Sequence, residues 1–174
     1  MKRIAVLVVT LLLTGCTSAS QEVAGELVSC STVKTQSVSD PISLGCLDGS
    51  EGAAINGIKG PAIINVWGSW CGPCKEEFPI LKSFYQKAQG DVELIGVDVE
   101  ESSIKAGQSF VIKNGITWPN LYDSKGSSRK YFGMGVPVTW FISADGAVAY
   151  KHIGVIKNEI ELISLTSKYL GVKL

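Results

Sequence analysis

The sequence predicts an α/β fold, a sheet with helices on both faces, from three segments in the middle of the chain. Residues 62–67 form a continuous apolar run rich in β-branched side chains, which is typical of a strand buried on both faces. Residues 75–90 repeat apolar side chains at helical spacing, and residues 92–99 form a second buried run. This order of strand, helix and strand is the basis of the fold assignment.

The remaining segments add a strand, a hairpin and two helices. The last helix begins with Asn158 as its N-cap and Glu161 three residues later, a pair typical of a capping box. It is predicted to carry Ile160, Ile163 and Leu170 on one side. The other segments are a helix over residues 102–114, a short strand over 117–122, a polar turn over 123–128 and a hairpin of residues 138–143 and 147–153.

The composition fits one globular domain and excludes several functions. The chain has 174 residues and 45% apolar content, which is enough for a single core. Sixteen basic and sixteen acidic residues leave no net charge, so the chain lacks the positive field of a general nucleic-acid binder. Five cysteines are too few for a small disulfide scaffold, and their odd number leaves one thiol to explain.

The first residues predict export and a lipid anchor. Lys2 and Arg3 precede an apolar run over residues 4–13, the layout of an export signal and too short to span a bilayer. The run is followed by Thr-Gly-Cys16 and resembles the bacterial lipobox, in which the cysteine is diacylated after cleavage; an ordinary secretory signal is the alternative. We expect anchoring at the extracytoplasmic face of a bacterial cell membrane, with a lipoprotein signal peptide over residues 1–15, a flexible tether over 16–28 and one domain over 29–174.

A redox motif lies between the first central strand and its helix. Cys71 and Cys74 are separated by two residues at the start of the helix, where Pro73 is tolerated. The free amides and the helix dipole favour the Cys71 thiolate, which is the attacking species. We assign Cys71 as the nucleophile and Cys74 as the resolving thiol of a redox-active disulfide. A structural metal site is the alternative, but it needs further ligands, and His152 is the only histidine.

The chain resembles the thioredoxin superfamily in this stretch and in a second one further on. The first stretch runs from Asn65 through Trp70 and the two cysteines to Pro79, and the second is Gly-Val136-Pro137-Val-Thr. The resemblance implies a cis bond before Pro137, which turns the backbone of Val136 toward the sulfurs to pair with substrate. Trp70, beside the nucleophile, would help to shape the docking surface. A trans proline at a strand start is the alternative.

Three features resemble the TlpA/ResA-like branch of membrane-anchored thiol-disulfide oxidoreductases: the lipobox, the added helix over residues 102–114, and an N-terminal extension over residues 30–60. This resemblance implies a thioredoxin-like three-layer α/β/α fold with a central mixed sheet, an N-terminal β extension and an added helix between central strands. Turn signals at Asp48-Gly49 and Asn56-Gly57 indicate that the extension adds a hairpin to the sheet.

Asn65 departs from thioredoxin, where a buried aspartate at this position helps to move the proton of the resolving cysteine. Asparagine cannot accept that proton, so the acceptor stays open between water and an acid at a strand end, such as Asp98 or Glu100. Glu76 and Glu77, in the first turns of the helix, are predicted to be surface residues that complement the helix dipole.

Cys30 and Cys46 remain once the other three cysteines are assigned. A bridge between them would close a loop of about 15 residues and contribute about 3 kcal/mol, so we expect a structural disulfide. A second redox-active pair and two free thiols are the alternatives.

The expected function is extracytoplasmic disulfide exchange through the CxxC pair, in the reducing direction, with no cofactor and no metal. The resemblance implies cysteine-containing exported proteins as partners, apocytochrome c among the candidates, together with a membrane electron donor. A peroxiredoxin-like peroxidase is one alternative; it would need an arginine near its cysteine, and Arg129 is the only arginine after residue 15. A copper-binding assembly factor is the other alternative.

Overall fold

A mixed six-stranded sheet forms the centre of the structure, a computed structural model that describes residues 24–133 and 135–174. Three central strands run parallel; one strand pairs antiparallel on each side of them, and the sixth strand pairs antiparallel with one of these two. The strands are β1 (Gly45–Cys46), β2 (Ala62–Trp67), β3 (Glu93–Val99), β4 (Asn120–Asp123), β5 (Val138–Ile142) and β6 (Val148–Ile153), in the spatial order β1-β4-β3-β2-β5-β6. The predicted α/β class with a mixed central sheet is confirmed.

Helices and the N-terminal extension cover the two faces of the sheet. The helices are α1 (Gly72–Ala88), α2 (Ile104–Lys113), α3 (Arg129–Phe132) and α4 (Glu159–Leu170). The longer helices α1, α2 and α4 bury their apolar residues against one face, which contains Ile63, Leu94 and Phe141. The single-turn α3 and the N-terminal extension cover the opposite face, which contains Ile64 and Val97. The second layer is therefore built largely from the extension, because it supplies most of the apolar residues that a helix would otherwise provide.

The N-terminal extension adds little strand to the sheet. Only β1 joins the edge, where it pairs with β4, and the predicted hairpin is replaced by single bridges from Thr35 to Ile58 and from Ser43 to Ala54. Cys30 and Cys46 are joined by a disulfide with 5.7 Å between their Cα atoms. The bridge links the start of the extension to β1.

Two details of the helices differ from the sequence predictions. The one-turn α3 follows the segment that was predicted as a polar turn. In α4 the buried residues are Leu162 and Thr166, whereas Ile160 is 80% exposed. Ile160 lies two positions before Leu162, and two positions on an α-helix point to nearly opposite sides. The predicted N-cap is present, since the Asn158 side chain accepts a hydrogen bond from the Glu161 amide at 2.9 Å.

The predicted signal peptide, Cys16 and most of the predicted tether lie outside the described residues. Among residues 24–133 and 135–174, no helix combines the length and the apolar character needed to cross a bilayer.

Candidate active site

The two cysteines of the CxxC motif lie at the N-terminus of α1 and are joined by a disulfide, with 5.3 Å between their Cα atoms. Cys71 is the N-cap residue, and its sulfur accepts a hydrogen bond from the Cys74 amide at 3.1 Å. Both side chains are buried. When the disulfide opens, the same amide and the positive end of the helix stabilise the Cys71 thiolate.

The loop before β5 lies beside this disulfide. The peptide bond between Val136 and Pro137 is cis, and the strand that follows pairs with β2, which leads into the CxxC motif. The Gly154 amide donates a hydrogen bond to the Pro137 carbonyl at 3.0 Å and so fixes the loop to the end of β6. The pairing of β2 with β5 therefore brings the CxxC motif and Pro137, more than sixty positions apart in sequence, to the same end of the two strands.

Exposed apolar side chains surround the loop. Trp70 is 53% exposed, and its indole Nε1 donates a hydrogen bond to the Val99 carbonyl at 3.1 Å. Trp70 and Val136 line one cleft. Ile153 is 81% exposed at the end of β6 and pairs across the sheet with Val138, the residue after the cis-proline. We call Trp70, Val136 and Ile153 the docking face.

Glu77 is a buried acid in the second turn of α1. Only 1% of its surface is exposed. Its carboxylate accepts hydrogen bonds from the Asn65 side-chain amide at 3.2 Å and from the Ile156 backbone amide at 2.6 Å. Asn65 also donates to the Thr139 hydroxyl at 3.1 Å. The prediction that Glu77 lies at the surface is wrong, because β2 and the loop before α4 supply polar partners that allow the carboxyl group to be buried.

The position of Glu77 suits it to exchange a proton with the resolving cysteine. It follows Cys74 by three residues, so the two side chains share one side of the helix. Burial raises the pKa of the Glu77 carboxyl to about 7, although the hydrogen bonds from Ile156 and Asn65 oppose the shift. A group with a pKa near neutral both accepts and releases a proton at neutral pH. Glu76, its neighbour, is exposed.

The comparisons with known proteins agree with this geometry. The model of the Redoxin family matches residues 42–167, which is well over half of the chain. The chain belongs to the Redoxin family. As a Redoxin protein it is a member of the thioredoxin superfamily, and its relatives are of the TlpA/ResA-like kind that the sequence resemblance predicted.

Several relatives of this Redoxin chain are named thiol-disulfide oxidoreductases. It is 34% identical over 100 residues to the thiol-disulfide oxidoreductase ResA of Bacillus thuringiensis (strain Al Hakam). The aligned region covers 56% of this chain and 57% of ResA. The chain thus spans little more than half the length of that relative. Among solved structures it resembles StoA from Bacillus subtilis, with 27% identity, a TM-score of 0.59, and 73% of this chain and 96% of StoA covered. It also resembles MTB DsbF, with 26% identity and a TM-score of 0.65; the match covers 73% of this chain and 93% of DsbF.

Asp98, one of the two acids named from the sequence, is completely buried between β3 and α2 of the Redoxin fold. Neither of its carboxyl oxygens has a hydrogen-bond partner among the described residues. Burial raises the pKa of Asp98 to about 9, and the nearby Glu101 carboxylate contributes to the rise. Asp98 therefore already holds a proton at neutral pH and is a poor acceptor for another. Glu101 accepts hydrogen bonds from the backbone amide and the hydroxyl of Ser69, two residues before Cys71.

Glu100, the other named acid, forms an ion pair with Arg129. Both residues line the cleft that contains Trp70 and Val136. The arginine that the peroxidase alternative requires is therefore near the docking face, but its guanidinium is engaged by a carboxylate. Within residues 24–133 and 135–174, no three His, Cys, Asp or Glu side chains are grouped so that they could hold a metal ion. His152 lies in β6, with its Nε2 3.4 Å from the Val155 carbonyl.

Sequence reasoning missed two residues of this Redoxin site, Glu77 and Ile153. A signal for Glu77 was present, since it lies three residues after Cys74 and four before Leu81, on the apolar side of the helix. No such signal marks Ile153, because its place beside Pro137 depends on the pairing of β5 with β6 and on the loop that follows.

Proposed function

We propose that this Redoxin protein is a thiol-disulfide oxidoreductase that reduces disulfides in exported proteins while it is held at the outer side of the cell membrane by lipid on Cys16. The observation that supports the reaction most strongly is the Cys71–Cys74 disulfide at a helix N-terminus, with a cis-proline loop beside it. The names of the ResA relatives support the same reaction class.

In the first step, the Cys71 thiolate of the reduced protein attacks one sulfur of a substrate disulfide. A bond forms between Cys71 and that sulfur, and the other substrate sulfur leaves as a thiolate. The backbone of Val136 pairs with the extended substrate segment, and the docking face covers its apolar side chains. Apocytochrome c is one substrate class that fits this proposal, because its cysteines must be reduced before haem is attached.

In the second step, the Cys74 thiol loses its proton to the Glu77 carboxylate and attacks the Cys71 sulfur. The mixed disulfide breaks, the substrate leaves with its second sulfur reduced, and the Cys71–Cys74 disulfide forms. Two electrons have passed to the substrate, and a membrane electron donor restores the dithiol. The reverse sequence would oxidise a substrate, and the reduction potential decides the direction, because 30 mV corresponds to about 1.4 kcal/mol.

Trapping tests the reaction. The Cys74→Ser variant lacks the resolving thiol, so it should accumulate a mixed disulfide through Cys71 with a cysteine-containing exported protein, visible on non-reducing gels. The Cys71→Ser variant is the matched control and should accumulate none through this position. Insulin reduction by the wild type, with dithiothreitol as the electron source, should also be lost in Cys71→Ser. If the wild-type protein does not reduce insulin in this assay, the proposed reaction is contradicted.

The direction and the anchor need separate measurements. A reduction potential close to that of reducing thioredoxins, about −270 mV, is expected from equilibration with glutathione; a potential near −120 mV would make the protein an oxidant.

The anchor is tested by lipid labelling. Cells supplied with labelled fatty acid should incorporate the label into the protein. The Cys16→Ser variant should lose both the label and its place in the membrane fraction, and a labelled Cys16→Ser variant would contradict the anchor.

A further inference from the structure

A groove of about 460 Å³ lies between α1 and the turn that follows α2. Its floor is aromatic, with ring centroids 6.3 Å apart for Phe78 and Trp118 and 5.4 Å apart for Tyr85 and Trp118. Phe78 and Trp118 are buried, so they belong to the core and form the closed bottom of the groove.

Three lysines, Lys75, Lys82 and Lys113, line this groove together with the aromatic floor, and no carboxylate does. We call it the lysine groove. Lys75 and Lys113 are exposed, and the Lys82 ammonium group donates a hydrogen bond to the Asn114 carbonyl at 3.1 Å. Among the described residues, none of the three forms an ion pair. The groove therefore concentrates positive charge on a chain that has no net positive charge.

The N-terminal part of the chain joins the fold beside the lysine groove. The Gly25 amide donates a hydrogen bond to the Ile112 carbonyl at 2.8 Å, and the Glu26 amide donates to the Ile116 carbonyl at 2.8 Å. Gly25 approaches so closely that a Cβ atom would lie 2.1 Å from the Val111 carbonyl oxygen. The attachment is thus a packed contact at the end of α2, and the turn after α2 is the one that lines the groove.

We propose that the lysine groove binds the anionic phospholipid headgroups of the membrane that carries the protein. The geometry rests on the proposed anchor: eight peptide bonds separate Cys16 from Ala24, and such a segment reaches at most about 29 Å. An anchored domain is therefore kept near the bilayer on the side of the groove. Lysines attract anionic headgroups within a Debye length of about 8 to 10 Å, and the exposed Ile112 adds an apolar contact at the same end.

Membrane contact at this groove would orient the catalytic end of the protein. Lys75 directly follows Cys74, so the groove begins where α1 presents the disulfide. Headgroups bound there keep the two sulfurs close to the bilayer, within reach of an electron donor that is itself embedded in the membrane.

The test uses the full chain with Cys16→Ser, which has no sulfur for acylation at that position. A second chain adds Lys75→Gln, Lys82→Gln and Lys113→Gln. Both are sedimented with vesicles of phosphatidylcholine alone and with vesicles of equal parts phosphatidylcholine and phosphatidylglycerol. The parent should prefer the anionic vesicles, and the triple variant should bind them at least about tenfold more weakly. High salt should remove the difference.

The matched control carries Lys125→Gln, Lys157→Gln and Lys173→Gln, which remove the same charge from exposed lysines outside the groove. It shares residues 1–23 with the groove variant, so a difference between the two comes from the lysine groove. Circular dichroism during thermal unfolding checks that both variants fold.

Equal binding of the two triple variants to anionic vesicles would overturn the proposal, as would equal binding of the parent to both vesicle types. Binding of polyglutamate without preference for anionic vesicles would overturn it in favour of an acidic protein partner. Insulin reduction is measured on the same samples. If the parent reduces insulin but shows no preference for anionic vesicles, only the groove proposal fails; if the parent prefers anionic vesicles but does not reduce insulin, only the proposed function fails.

Discussion

Asn65 stands where thioredoxin has a buried aspartate, and in the proposed reaction Glu77 takes the proton of the resolving cysteine instead. The strand position before the CxxC motif holds an amide, and the carboxyl group comes from α1, one turn after Cys74. The amide donates to the carboxylate and to Thr139, so it positions the acid and does not replace it. The site keeps a buried acid behind the resolving cysteine although the sequence position familiar from thioredoxin lacks one.

Replacement of Glu77 by glutamine should slow the resolving step. Glutamine keeps an oxygen for the Ile156 amide but cannot take a proton, and a general base contributes about a hundredfold or more. Because the pKa of Glu77 is about 7, the carboxylate that accepts the proton forms as the pH rises through neutrality. Wild-type insulin reduction should therefore rise across this range, and Glu77→Gln should lack that inflection.

Glu76→Gln is the matched control for this prediction, since Glu76 is the exposed neighbour. It should keep the wild-type rate and the wild-type pH profile. An unchanged pH profile in Glu77→Gln would assign the proton to water.

Asp98 should make the protein less stable as the pH rises. In the unfolded chain an aspartate loses its proton near pH 4, whereas the folded chain keeps the Asp98 proton up to about pH 9. Between these values the unfolded state binds fewer protons, so the free energy of unfolding falls with increasing pH. Asp98→Asn removes this contribution and should be more stable than the wild type at pH 8 by a few kcal/mol, with little difference near pH 4.

Urea unfolding at several pH values measures this effect. Asp91→Asn is the control, because Asp91 is exposed and its replacement should change the free energy of unfolding little. A stability difference for Asp98→Asn that does not change with pH would show that Asp98 is ionised in the folded protein.

The secondary elements differ in how far the sequence could predict them. The strands β2 and β3 could be predicted from continuous apolar runs, and α1 from apolar residues at helical spacing. Both patterns depend only on residues that are near one another in sequence. The four-residue α3 was missed because a single turn has no period to detect. The spacing within α1 places Glu77 on the apolar side of the helix, but its hydrogen-bond partners Asn65 and Ile156 lie 12 and 79 positions away and could not be predicted from α1.

The Cys30–Cys46 disulfide should stabilise the N-terminal extension without taking part in exchange. Both cysteines are buried, and the bridge closes a loop that is worth about 3 kcal/mol. The double variant Cys30→Ala/Cys46→Ala should lose about that much unfolding free energy in urea and keep its insulin reduction. Loss of insulin reduction in a variant that still folds would favour a second redox pair.

At the scale of the whole molecule, the site exists only because the sheet collects distant segments. The central strand β2 pairs with β3 on one side and β5 on the other, and β6 follows β5 at the edge. These pairings place three segments side by side at the end of the sheet where β2 finishes: the CxxC motif, the cis-proline loop and Ile153. Motif recognition found the first two segments, and only the strand register adds the third.

The exposure of Trp70 gives the molecule a built-in optical signal. The other three tryptophans, Trp67, Trp118 and Trp140, are at most 2% exposed. A collisional quencher dissolved in water, such as acrylamide, should therefore quench the fluorescence of one tryptophan of the four, Trp70, which directly precedes Cys71. Trp70→Phe should abolish the quenchable fluorescence, and Trp118→Phe should keep it. A substrate that occupies the docking face should shield Trp70, so partner binding can be followed in unlabelled protein.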